Sequence, residues 1–150
     1  MKKIKSERGQ SLVELAISIV ILIYLLSGAV EFGLAFFQYV QLRDAAQEGA
    51  LYGSMNPTNS VPIESRARGA STSPIDLSNT SLVTVTVTVT DGTTGTTKAL
   101  TSACEGDGLE VVVSYKHKIF MPFIAQFIGS ADNTISLNAS VTDTVLSPLC

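Results

Sequence analysis

Two short features of the sequence hold residues whose types and spacing could do chemistry. In the first, Gly9 follows the basic Arg8, and Glu14 stands five residues after the glycine, just ahead of a long apolar run. A protease needs a narrow, extended backbone at the bond that it cuts, and glycine adopts that conformation at little cost. A carboxylate at the entrance of a membrane helix is costly unless it is paired. In the second feature, Cys104 and Cys150 could form a disulfide.

Catalytic and metal chemistry are not indicated. One histidine, His117, and two cysteines are too few to build a zinc site unaided, and no interpretable Ser/His/Asp set or phosphate-binding glycine loop is present. His117 lies in an alternating segment, which favours a buried or edge residue. The acidic residues near predicted turns are interpreted as solvated: Asp91, Glu105, Asp107 and Asp132. A net charge of −3 offers no basic field to nucleic acid. We therefore expect no enzymatic activity, no metal and no cofactor.

The apolar run that must position the junction covers residues 15 to 30, which include no charged residue. A cleaved secretory signal has a shorter apolar run of about 7–15 residues, and a helix buried in a soluble core would not need the basic leader of Lys2, Lys3 and Lys5. The run therefore favours a single membrane anchor. The positive-inside rule places residues 1–8 in the cytoplasm and the chain after about residue 40 outside.

The helix is expected to continue beyond the membrane. Residues 38–53 contain good helix formers and no proline, and the first strong stop is Asn56-Pro57. We predict one helix from about Ser11 to about Gly53. Its glycines either permit close helix–helix contact or are merely tolerated; they are Gly28, Gly33, Gly49 and Gly53.

The stretch RGQSLVELA, followed by VEFGLAF and then by DAAQEGALYG, resembles the TadE family. Members of that family are pseudopilin-like minor components of the tight-adherence (Tad, or Flp) pilus system. The resemblance covers about residues 8–53, and it implies that a membrane aspartyl prepilin peptidase cuts between Gly9 and Gln10. Glu14 then becomes the fifth residue of the mature chain. Type IVa pilins usually have Phe in place of Gln10, and major Flp pilins have Glu-Tyr in place of Glu14-Leu15, so both departures favour a minor component.

Two glutamates flank the apolar run, and both are candidate contacts between subunits. The amino terminus created at Gln10 would be the nearest new positive charge for Glu14; alternatively, Glu14 is a first-turn residue favoured by the helix dipole. Glu31 lies on a different face of the helix from Glu14. It is expected near the outer interface, with a subunit contact as its second interpretation.

The exported part has the pattern of a small sheet. Valine and threonine alternate over residues 83–90, which predicts a strand, and further strands are predicted over residues 109–119 and 134–145. A short helix over residues 62–70 would place Ile63, Ala67 and Ala70 on one face. We predict an α+β fold in which a long N-terminal transmembrane helix precedes a small, antiparallel, pilin-like β-sheet head.

Between the second and third predicted strands lies the apolar segment IFMPFIAQFIG, residues 119–129. The segment is too short to span a bilayer. It either packs into the core against the helix or forms an exposed patch that touches the membrane or a neighbouring pseudopilin.

The two cysteines both lie outside the predicted anchor. Export favours a disulfide between Cys104 and Cys150 over two free thiols. The bond would close a ring of 47 residues, counted from 104 to 150 inclusive, and would stabilise the fold by about 4 kcal/mol if chain entropy dominates.

These observations divide the chain into a leader (1–9), a transmembrane and protruding helix (10–56) and an exported β-rich head (57–150). The resemblance implies a minor pseudopilin that helps to assemble a Tad/Flp-type pilus for adhesion and surface attachment. It would lie in the bacterial inner membrane, head outside, or in the extracellular pilus. The implied partners are a prepilin peptidase, other pseudopilins, the major pilin and the inner-membrane assembly platform. The alternatives are a minor pseudopilin of a type II secretion system, which Gln10 and the DAAQEGA motif disfavour, and a membrane-anchored adhesive binding module.

Overall fold

A single long helix forms the axis of the molecule. The computed structural model describes residues 8–121 and 132–149. Helix α1 runs from Arg8 to Met55, which is about 70 Å at 1.5 Å per residue. The prediction of one uninterrupted helix is confirmed, and the helix extends by a few residues at each end. It stops where expected: Asn56 N donates to Tyr52 O at 3.1 Å, and Pro57, which follows, has no N–H to continue the ladder.

The two halves of α1 have different surroundings. Large apolar side chains from Leu12 to Leu26 are exposed, and the most apolar stretch of the helix has none of its residues buried within the protein. The helix is long and apolar enough to cross a membrane. From Leu42 onwards, by contrast, one face of α1 is fully buried. The lower half of the helix therefore presents an apolar surface that its own chain does not cover, whereas the upper half supplies part of the core of the head.

A short helix, α2, covers one side of the upper half of α1. Helix α2 spans Ser60–Gly69, and the Asn59 side chain caps its start by accepting a hydrogen bond from Val61 N. Ile63 and Ala67 are buried. Ala70 follows as the C-cap with helical dihedral angles, in keeping with the predicted shared face, but its side chain is exposed.

The sheet has four antiparallel strands in the order β2-β1-β3-β4. The strands are β1 (Val83–Thr90), β2 (Thr97–Lys98), β3 (Gly108–Lys118) and β4 (Thr134–Thr144), and a 3₁₀ turn covers Leu100–Ser102. Three of the strands lie within one or two residues of their predicted bounds, so the α+β prediction is confirmed. The sequence pattern does not predict β2, because a two-residue strand is too short to show alternation.

The core lies between α1 and one face of the sheet. Alternating side chains of β3 point to α1, and Leu109, Val111 and Val113 have no exposed surface. On the facing side of α1 the residues are small: Ala45, Ala46 and Ala50 are buried. Small side chains let the helix axis approach the sheet closely, so the pattern of the DAAQEGA motif follows from how the head packs.

Two glycines make that approach possible. A Cβ atom added at Gly49 would lie 3.2 Å from Ala67 Cβ and 3.3 Å from Val111 Cγ1, and one at Gly53 would lie 2.8 Å from Leu109 Cδ2. At Gly33, in the lower half, an added Cβ would meet nothing within 4 Å. Gly49 and Gly53 are therefore packing residues rather than tolerated interruptions.

Gly49→Val should destabilise the head by about 1–3 kcal/mol, because the added methyl groups overpack the contact of α1 with α2 and β3. Gly33→Val is the matched control, since it changes helix propensity equally at an open position. Denaturant unfolding of the detergent-solubilised chain measures both. Equal stability of the two variants would contradict close packing at Gly49.

Candidate assembly site and head–anchor junction

The predicted processing junction lies in the first turns of α1. Gly9, Gln10 and Glu14 are all exposed, and a Cβ added at Gly9 would meet nothing within 4 Å. Ser18 Oγ donates to the backbone carbonyl of Glu14 at 2.8 Å. Within the described residues, the carboxylate of Glu14 has no hydrogen-bond donor or cation as a partner. The junction is therefore open to other molecules, and the predicted cleavage and subunit contact stay predictions.

Glu31 has a partner in its own chain, which the sequence analysis did not foresee. Its Oε1 lies 2.9 Å from His117 Nε2 and accepts a second hydrogen bond from Phe120 N at 3.3 Å. His117 is 1% exposed, and the side chain of Glu31 is 15% exposed. The contact joins the lower half of α1 to the end of β3, and we call it the head–anchor junction. Its existence shows that Glu31 serves the fold; a contact with another subunit stays a prediction.

Of the two environments predicted for His117, buried or at an edge, the structure shows the buried one. Its place on the inward face of β3 could be read from the alternating pattern. Its partner could not, because Glu31 is 86 residues away in the chain and only the antiparallel course of β3 along α1 brings the two together.

The start of the apolar segment 119–129 shows both of its predicted environments. Ile119 and Met121 are buried and pack with Ile135, whereas Phe120 is 71% exposed. The Met121 side chain reaches α1: its Cε would lie 3.9 Å from a Cβ added at Gly28. Residues 122–129 of the segment lie outside the described residues.

At the opposite end of the head, a buried carboxylate joins two loops and strand β2. Asp107 is 5% exposed and lies 2.5 Å from Lys98 Nζ; it also accepts hydrogen bonds from Cys104 N at 2.6 Å and Gly92 N at 3.1 Å. The interpretation of Asp107 as a solvated residue is therefore wrong. Its acidic type and its position between two glycines gave no sign that a lysine of β2 and the amides of two loop residues converge on it.

Hydrogen bonding fixes the charges in this cluster. The Lys98 ammonium lowers the pKa of Asp107, with help from Cys104 N, and Asp107 in turn raises the pKa of Lys98. The amides of Thr94 and Thr93 lower the pKa of Asp91 to about 2. All three groups are thus charged at neutral pH, and the cluster serves to hold the turn after β1 against the loop after the 3₁₀ turn. The described residues include no group of three or more His, Cys, Asp or Glu side chains placed to hold a metal ion.

The C-terminal segment lies against the loop that contains Cys104. Glu105 N donates to Pro148 O at 2.8 Å, and Gly106 N donates to Val145 O at 2.9 Å. Cys150 lies outside the described residues, so the predicted disulfide stays a prediction, but the hydrogen bonds hold the chain two residues before Cys150 beside the neighbour of Cys104.

Non-reducing peptide mapping of the exported protein should therefore find Cys104 joined to Cys150, and Cys150→Ser should lower the free energy of unfolding by about 2–5 kcal/mol. The control is the wild-type chain unfolded in reductant, which should lose a similar amount. Complete alkylation of both cysteines without prior reduction would show that the thiols are free.

The comparisons with known proteins bear on the helix. Residues 9–51 match the family model of TadE-like protein. No curated protein matches the chain, and no solved structure matches it. The matched residues include the predicted cleavage junction, the apolar run, Glu31 and the small-residue face that packs on the head. The predicted resemblance is thus confirmed for the helix: residues 9–51 are similar to TadE-like protein, a family associated with the Tad pilus.

Proposed function

We propose that this protein is a minor pseudopilin that takes part in the assembly of a Tad/Flp-type pilus. It is anchored in the bacterial inner membrane by the lower half of α1, with residues 1–8 in the cytoplasm and the head outside. The observation that supports this function best is the contrast between the two halves of α1. The lower half has an exposed apolar surface, whereas the upper half packs into a β-rich head. A rod of this kind suits side-by-side packing with similar helices.

The outer face of α1 supports packing against other pilin-like subunits. Phe36, Val40, Leu51 and Met55 are all exposed. They share one broad face, because positions 40 and 51 are eleven residues apart, which is slightly more than three full helical turns. Asp44 and Gln47 are exposed on this face between them. The face that the head leaves open therefore carries two apolar patches, around Phe36 and around Leu51, separated by polar side chains. Other pseudopilins and the major pilin are the proposed partners there, and the inner-membrane assembly platform is the proposed partner at the cytoplasmic side.

Processing by a prepilin peptidase is the first step of the proposed function. The bond between Gly9 and Gln10 lies in the first helical turn, so that turn must unwind before the bond can be cut. Glycine disfavours the helix by about 1 kcal/mol relative to alanine, which makes the unwinding easier. The open surroundings of Gly9 leave room for the enzyme.

The intact mass of the mature protein from its native host tests this step. We expect the loss of residues 1–9. Gly9→Val should block the cut, because a β-branched side chain crowds the extended backbone, and Gly33→Val, which lies beyond the junction, should be processed normally. A strain that carries only the Gly9→Val chain should make no pili. A mature wild-type chain that retains Met1 to Gly9 in a host with an active prepilin peptidase would overturn the assignment.

A further inference from the structure

The lower end of the head reaches down to a part of α1 that belongs to the membrane span. Met121 approaches Gly28, and Gly28 lies within the charge-free run of residues 15–30. A helix needs about 20 residues to cross the hydrocarbon layer. Any placement that immerses the whole run also immerses Gly28, so Met121 lies at the depth of the lipid tails.

The charged group of α1 at this level, Glu31, is turned away from lipid. Its carboxylate is held by His117 Nε2 and Phe120 N, and its side chain is mostly covered. A carboxylate at membrane depth is costly unless it is paired, and here the head itself supplies the partners. The apolar surface of α1 therefore continues past Glu31 through the exposed side chains of Phe32, Leu34 and Phe36.

The surface around this contact has the composition of a membrane interface. Phe120 is 71% exposed and lines a cavity of about 310 Å³ with Val30, Leu34 and Met121. On the same end of β3, Lys116 and Lys118 are exposed. Long lysine side chains can keep an apolar stem in the interface and extend the ammonium group to lipid phosphates. Asp132, just ahead of β4, is exposed and offsets one of the two positive charges.

We propose that the head is seated in the outer leaflet of the membrane through Phe120 and Met121, with Lys116 and Lys118 among the lipid phosphates. The proposal rests on the proposed membrane span of α1 and deepens it: the protein contacts the bilayer at two places, the anchor helix and the lower end of the head. The lipid partner is any bilayer that offers acyl chains beneath phosphate groups, and anionic phosphates favour the contact.

The absence of tryptophan from the sequence makes the proposal directly measurable. Three single-tryptophan variants of the full chain are reconstituted into vesicles of phosphatidylcholine and phosphatidylglycerol in which the phosphatidylcholine has brominated acyl chains. Phe120→Trp reports on the proposed contact of Phe120 and Met121 with the outer leaflet, which we call the seat. Leu22→Trp, in the middle of the bare run, reports on the anchor. Leu146→Trp is the control for the head, because Leu146 is 63% exposed and its amide is bonded to Ser54 O at the far end of α1.

We expect the bromolipid to quench the fluorescence of the Phe120→Trp chain severalfold more strongly than that of the Leu146→Trp chain. The quenching of the Phe120→Trp chain should lie closer to the value for Leu22→Trp than to the value for Leu146→Trp. Replacing both Lys116 and Lys118 by glutamine in the Phe120→Trp chain should reduce its quenching.

Two other results would overturn the proposal. One leaves the membrane span of α1 standing, and the other overturns the span as well. If the Leu22→Trp chain is quenched while the Phe120→Trp chain matches the Leu146→Trp chain, the anchor spans the bilayer but the head stands clear of it, and the seat is wrong. If the Leu22→Trp chain is not quenched, the membrane span fails, and the seat fails with it.

Discussion

Glu14→Gln should strongly reduce piliation while leaving membrane insertion and processing largely intact. The carboxylate of Glu14 has no partner among the described residues of its own chain. An unpaired charge costs about 2.5–3.5 kcal/mol at the centre of a membrane helix on insertion scales, which is the upper bound for Glu14 at the helix entrance. A positive group from a neighbouring subunit would offset that cost, and the amino terminus created at Gln10 is the best candidate. Glutamine keeps the size and the hydrogen-bonding capacity but removes the charge. The loss of a charge-assisted hydrogen bond of about 1.5–3 kcal/mol corresponds to a decrease of about 10- to 100-fold in an assembly equilibrium.

The measurement is a count of pili per cell in a strain that carries only the variant, together with the intact mass and the membrane level of the protein. Glu48→Gln is the matched control, because Glu48 is an exposed carboxylate on the same helix beyond the membrane. We expect the control to support normal piliation. Wild-type pilus numbers for Glu14→Gln at normal protein levels would mean that Glu14 is only a first-turn residue, and the charge-pairing mechanism would have to be dropped.

The second large effect is expected at the head–anchor junction. His117→Ala should destabilise the head by about 3–5 kcal/mol, because removal of one partner leaves the other unpaired in a covered site and opens a void beside it. Glu31→Gln should cost less, since an amide can still hydrogen-bond with the imidazole and with Phe120 N. Lys116→Ala is the control, since Lys116 lies on the same strand but is exposed.

A double-mutant cycle separates the pair from its surroundings. Denaturant unfolding of the detergent-solubilised chain gives the free energies for His117→Ala, Glu31→Ala and the double variant. We expect the two single losses to sum to more than the loss in the double variant by about 1–3 kcal/mol, which is the range for residues in direct contact. Additive losses would show that the two residues contribute independently and that the 2.9 Å contact adds no stability.

The elements that could be predicted from the sequence are those marked by a continuous or alternating pattern of residue types. The apolar run predicts the anchor, and the alternation of Val83 to Thr90 predicts β1, because each pattern reports directly on which face is buried. The parts that sequence could not predict depend on residues that meet only after folding. The sequence alone indicates a surface residue at Asp107, but in the fold Lys98 of β2 and two loop amides converge on it. It likewise indicates an interfacial charge at Glu31, but in the fold β3 places His117 beside it.

The glycines are a second case in which the sequence does not show which residues meet after folding. The sequence analysis left open whether Gly49 and Gly53 serve a contact, because the type of residue reports on the space that it needs and not on what occupies the space around it. The structure shows that the occupants are side chains of the same chain, Ala67, Val111 and Leu109. The DAAQEGA motif therefore reflects the fit of one head to one helix.

In the proposed membrane placement, the continuity of α1 couples the orientation of the anchor to the position of the head. From Glu31 to Ser54 the helix rises through 23 residues, or about 35 Å. The core of the head packs along this stretch of α1, so the head follows the direction of the helix. Transmembrane helices tilt by about 20° on average, and a tilt of that size would carry the far end of the head sideways by about 12 Å. Any rotation of the anchor within the membrane would therefore move the outermost loops sideways by a distance that grows with their height along α1.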